Sequence, residues 1–168
     1  VLAQDGAAQD VAKDPTKYFE EAQRAIDKKD YGQARKIIQA YLQDNPKSSS
    51  PVAYDLLGKA WHREGNLQEA RAAFQKGIEQ VPGSSELHQN LAAVAYQLND
   101  FERAASAYEA AHKLSKKADG ELLYRAASSY GQIGQKQEVK RVLEELAGLK
   151  IEMQQPWLQL MIQNEVEL

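Results

Sequence analysis

Cysteine is missing from all 168 positions, so disulfides, thiolate metal sites and cysteine nucleophiles are excluded together. Glycine and proline are sparse, at 10 and 5 residues, against an abundance of Ala, Gln, Glu, Lys and Leu. That is the composition of helices with small side chains at close contacts, and an all-α fold follows. No apolar run approaches the roughly 18 residues that a membrane-spanning helix requires. Nor does one sign of charge dominate. The net charge of -3 supplies no positive field to displace counterions from a phosphate backbone, which argues against nucleic acid as a ligand. What is present is ordinary for a globular chain, 43% hydrophobic and 27% charged residues, enough to bury a core.

Catalytic signals are equally thin. The three histidines, His62, His88 and His112, fall in different helical segments and lack the i, i+4 spacing of a helical metal pair. Gly131-Gln132-Ile133-Gly134 ends a helical pattern instead of following a strand, so it forms no phosphate cradle. No catalytic residue, metal or cofactor is expected.

The positive signal is a period. GNLQEARAAFQKGIEQVP, from Gly65, is echoed 34 residues later by NDFERAASAYEAAHKLSK, where Asn99 stands for Gly65, Ala104 for Ala70, Tyr108 for Phe74 and Ala111 for Gly77. Repeat starts fall near Pro15, Pro51, Ser85, Gly120 and Gln154. The irregular spacings sit in linkers, where added length is thermodynamically tolerated. Each unit divides into two helical halves with large residues three and four apart, such as Tyr54, Leu57 and Trp61, then Ala70, Phe74 and Gly77. Lys29, Gly65, Asn99 and Gly134 stand between the halves, and three of these are types that tolerate a left-handed helix stop. Asp30, Asn66 and Asp100 follow as N-cap acceptors, with Asp30/Gln33 and Asn66/Glu69 at capping-box spacing. Asp14-Pro15, Ser50-Pro51 and Asp119-Gly120 open the first helices, while Pro46 and Pro82 close second ones. The expected organisation is a polar lead over 1–14, helix pairs over 15–50, 51–84, 85–119 and 120–153, and a terminal single helix over 154–168.

This pattern resembles the tetratricopeptide repeat family. Tyr54, Leu57, Gly58, Trp61, Ala70, Phe74 and Pro82 fall on its signature positions, with Gly77 where Ala is usual. The third unit keeps Leu91, Ala92, Ala104, Tyr108 and Ala111 but has His88 and Ala95 at the aromatic sites and Lys116 at the proline. The first carries Tyr18 and Ala22 with Glu21 in place of Leu, and the fourth Ala127, Tyr130 and Leu143 with Val139 at a small position. The resemblance covers about residues 15 to 168. It implies a right-handed α-solenoid of antiparallel helix pairs whose first helices line an inner, concave face. The function it implies is protein–protein interaction, as an adaptor or scaffold.

In that register the inner face presents Phe19, Gln23 and Ile26; Val52, Asp55, Leu56, Lys59, His62 and Arg63; Gln89, Asn90, Ala93, Tyr96 and Gln97; and Glu121, Tyr124, Arg125 and Ser128. Leu56, Tyr96 and Tyr124 are expected to stand exposed as anchors for a peptide or protein partner. Some relatives clamp a chaperone's C-terminal carboxylate. Asn90 and Arg125 match that pattern, whereas Asp55, Lys59 and Glu121 depart from it, and two acids facing a carboxylate oppose the role. The last segment, QPWLQLMIQNEVEL, spreads apolar residues around its helix. Some apolar area is therefore expected to stay wet, with Trp157, Leu158, Met161 and Ile162 supporting self-association, or the chain to be a fragment of a longer array, a regulatory or scaffolding segment. Val1-Leu2-Ala3 has the small residues read by signal peptidase, an expectation of export to a bacterial periplasm or envelope. A cytoplasmic chain with an arbitrary boundary is the competing reading.

Overall fold

The computed structural model describes residues 14–165. The expectations placed on the N-terminal lead and on Val166 and Leu168 lie outside the described residues. Within them the chain forms nine helices and no strand: α1 Pro15–Asp27, α2 Tyr31–Asp44, α3 Pro51–Glu64, α4 Leu67–Gln80, α5 Ser85–Gln97, α6 Phe101–Leu114, α7 Gly120–Gln132, α8 Lys136–Gly148 and α9 Gln155–Gln163. From α1 to α8 each helix packs on the next, and α1 with α3 and α3 with α5 also touch. The result is an all-α solenoid of helix pairs.

Left-handed residues stop the first helix of every pair. Lys29, Gly65, Asn99 and Gly134 have φ of 62°, 91°, 60° and 69°. Lys29, the one residue type unsuited to that conformation, adopts it with the rest. Side-chain caps form at Asp14, Asp30, Ser84, Asp100 and Asp119; Asp30, for example, accepts from the Gln33 amide at 3.0 Å. Two expected caps are corrected by the structure. Ser50 and Asn66 make no side-chain cap bond; the Asn66 amide nitrogen donates to Glu64 Oε2 at 2.6 Å.

Packing runs as a relay. One apolar cluster joins α1, α2 and α3 through Ile26, Ile38 and Leu56; a second extends from Tyr54 and Phe74 to Trp157 and Met161. Small residues hold the close contacts: Ala22, Ala70, Ala92, Ala104 and Ala127 are fully buried. The Phe74 ring, 1% exposed, lies against Gly58 where a Cβ would otherwise stand. Burying such a ring contributes about 1.5–3 kcal/mol. Gly120 has a similar role, since Trp157, Leu146 and Ile151 occupy the space its side chain would need.

One polar network lies inside this frame. Buried Glu109 on α6 accepts from the Tyr130 hydroxyl of α7 and from Arg141 Nη2 of α8, both at 2.8 Å. The same guanidinium reaches Glu138 through Nε at 2.8 Å. Burial, then the Glu109 hydrogen bond, pushes Tyr130 above the ordinary phenol range. His88, expected in a core aromatic position, is half-buried and sets Nε2 3.1 Å from the Pro82 carbonyl oxygen.

Candidate functional site

Two hollows open beside the first helices of the pairs. The first, about 440 Å³, lies between α1 and α3 and is lined by Phe19, Glu20, Gln23, Arg24, Val52 and Leu56. Val52 is 45% exposed, but Leu56 is only 5% exposed. The expectation of Leu56 as a free-standing anchor is therefore corrected: it turns toward α1 and forms the floor of this hollow. Ile26 is likewise a core residue, 1% exposed. Helical residues one apart differ by about 100° in direction, and α1 and α5 flank α3 on both sides, so the stripe of α3 left facing the solvent is narrow.

Between the hollows runs a polar rung. Lys59 Nζ stands 2.6 Å from Asp55 Oδ2 and 3.1 Å from Glu86 Oε1, and Asn90 Nδ2 donates to Asp55 Oδ1 at 2.6 Å. Asp55, expected to face a ligand, is buried and spends its acceptors on α3 and α5 instead. Burial raises its pKa, with the opposing pull of Lys59 insufficient to cancel it. At Lys59, burial disfavours the charge but the hydrogen bonds and charges of Asp55 and Glu86 more than offset this and raise its pKa. Further along, His62 Nε2 meets Gln97 Oε1 at 2.9 Å, and Arg63 is exposed. Glu86 escaped the sequence reading; its i, i+4 spacing from Asn90 was the available signal.

The second hollow, about 220 Å³, is lined by Tyr96 of α5, Tyr108 of α6, and Glu121, Tyr124, Arg125 and Ser128 of α7. Tyr96 packs edge-on against Phe101 with centroids 5.1 Å apart, and Tyr124 lies 6.4 Å from the Trp157 ring. Arg125 Nε donates to Glu121 Oε1 at 2.7 Å, and its guanidinium carbon lies 6.0 Å from the Tyr108 centroid. Hydrogen bonding to Tyr108, then to Glu121, raises the Arg125 pKa above its ordinary value. Tyr108 was read only as a core marker of a second helix. It is the buried base of this hollow, a role that depends on the α6–α7 contact and leaves no local sequence signal.

The terminal cluster divides. Trp157 and Met161 are 4% and 0% exposed, so neither offers a surface for the expected self-association: Gly120 leaves room for the indole, and α9 packs on the core. Leu158 is half-buried. Ile162, 75% exposed, alone stands largely in solvent among these four.

The fold defines a class, a helical solenoid built of helix pairs. Residues 25–94 and 62–111 match the tetratricopeptide repeat profile and together span more than half of the chain. The chain belongs to the tetratricopeptide repeat family. The crystal structure of MamA protein is similar at 18% identity over 80% of this chain and 72% of that one, with a TM-score of 0.68. MamA 41-end from Desulfovibrio magneticus RS-1 gives 16% identity, 89% and 85% coverage, and a TM-score of 0.70. A tetratricopeptide repeat protein from Parabacteroides merdae ATCC 43184 gives 20% identity, 89% and 58% coverage, and a TM-score of 0.72. These likenesses establish the fold. No curated protein matches the chain. Members of this family are generally protein-interaction modules without catalysis, and no helix among the described residues is long and apolar enough to cross a membrane.

Proposed function

We propose that this chain is a non-catalytic adaptor that binds an extended peptide or protein segment along its concave face. The observation that supports this reading is a hollow between α1 and α3, a second between α5, α6 and α7, and a rung of polar side chains between α3 and α5. An extended ligand needs such an alternation: pockets for some side chains and hydrogen-bonding groups between them. Phe19, Val52 and Leu56 supply an apolar pocket; Lys59, His62, Arg63 and Asn90 supply polar contacts; Tyr96, Tyr124 and Arg125 supply an aromatic pocket with a charged rim. Asp55 orients Lys59 and Asn90 from beneath. A peptide array probed with wild type and with the Tyr96→Ala, Tyr124→Ala double variant tests it. The variant is expected to lose the stronger spots, and identical patterns would remove the face from the account.

A second reading, self-association through α9, is favoured by Ile162 and the half-buried Leu158 beside it. Trp157 and Met161 are committed to the core and act only by holding α9 in place. Sedimentation of wild type and Ile162→Glu should give a concentration-dependent mass for the first alone. A wild type of constant monomer mass ends this reading.

A further inference from the structure

We infer that the hollow between α5, α6 and α7 receives one tyrosine side chain of the captured segment. The inference rests on the concave-face reading but specifies its ligand. A cavity of about 220 Å³ falls below the roughly 300–1,000 Å³ of small-molecule pockets, which is the scale of a single large side chain. Its two half-buried walls are backed by other rings, Tyr96 by Phe101 and Tyr124 by Trp157, and its base, Tyr108, is buried. Walls held this way need little ordering when a ligand ring enters, so the contact is preorganised, and aromatic pairs gain from offset or edge-on geometry.

The rim decides among aromatic residues. Glu121 and Arg125 neutralise one another across 2.7 Å, which leaves no net charge to attract an anion or a cation. A phosphate would face the Glu121 carboxylate and an ammonium would face Arg125. A neutral group that both donates and accepts fits best. Glu121 Oε2 takes no hydrogen bond among the described residues, Arg125 has donors beyond the Nε it spends on Glu121, and Ser128, which carries a hydroxyl, lines the same hollow. A phenol hydroxyl can donate to Glu121 and accept from Arg125 or Ser128 at once. An indole N–H only donates, and a phenylalanine ring does neither. The hollow therefore prefers tyrosine, and phosphorylation of that tyrosine abolishes its entry.

Titrating the ¹⁵N-labelled full chain with N-acetyl-tyrosinamide, N-acetyl-phenylalaninamide and N-acetyl-phosphotyrosinamide tests this by NMR. The tyrosine probe is expected to give saturable shifts at the amides around Tyr96, Glu121, Arg125 and Ser128. The phenylalanine probe should bind about tenfold more weakly, and the phosphorylated probe should not bind. Ser128→Leu, which fills the hollow, should abolish the shifts; should that variant lose helicity by circular dichroism, Arg125→Met is read in its place and should erase the tyrosine preference. Equal affinity for the first two probes, shifts centred elsewhere, or no shift at the highest soluble concentration overturns the inference. On the peptide array, binding that needs this face but ignores tyrosine in the peptide rejects only this inference. Binding that survives the double variant unchanged rejects the concave-face reading itself.

Discussion

A Cβ at Gly77 would lie 2.6 Å from Tyr54 Cβ and 3.0 Å from Leu87 Cδ1, so one absent methyl lets α3, α4 and α5 meet. Gly77→Ala is therefore expected to destabilise by about 1–3 kcal/mol through overpacking, read as a lower urea midpoint. Asp55 makes a different kind of residue-scale statement. Burial raises its pKa above 3.8, so the folded chain holds that proton more tightly than the unfolded one. Its contribution to stability is full below 3.8 and declines as pH rises through the folded value. Asp55→Asn lacks this decline. The unfolding free energy of wild type minus that of Asp55→Asn should therefore fall as pH rises above 3.8, as measured by urea titration at each pH. A difference that rises with pH would mean that the pull of Lys59, and not burial, governs the carboxyl.

Helices α6, α7 and α8 are tied by Glu109, which the sequence presents as one more acid on a second helix. Removing Arg141 would leave that buried carboxylate with the Tyr130 hydroxyl as its remaining partner across the helix pairs. Arg141→Met is expected to cost about 1–3 kcal/mol, and adding Glu109→Gln should recover part of it, because the stranded charge is then gone. Thermal midpoints of the two single variants and the double close that cycle. The helices themselves were legible. The period of small and large residues, the left-handed stops at Gly65, Asn99 and Gly134, and the acidic caps are local signals, each set by one turn or one contact. The direction of individual side chains on α3 was less legible. Asp55 and Leu56 look solvent-facing in a single-helix register, but α5 and α1 cover them from either side.

The molecule as a whole is a relay of helix pairs closed by α9, nine residues long, without a side-chain cap and held by Trp157 and Met161. The buried Trp157 Nε1 has no hydrogen-bond partner among the described residues, a penalty that further lowers the stability of this end. Amides of α9 are expected to exchange through local opening, faster than those of α5 and α6 at the centre of the array, in native-state hydrogen exchange. Uniform protection along the chain would show that the array opens as one unit. The sequence by itself determined the helix pairs, their stops and their stride, because propensity, capping and the spacing of small residues act over a few neighbouring positions. Only the tertiary structure decided which inner residues face a ligand, placed Tyr108 beneath the aromatic hollow and sank Trp157 into the core. Those outcomes depend on contacts between separate helices, and burial is fixed by the neighbour that arrives.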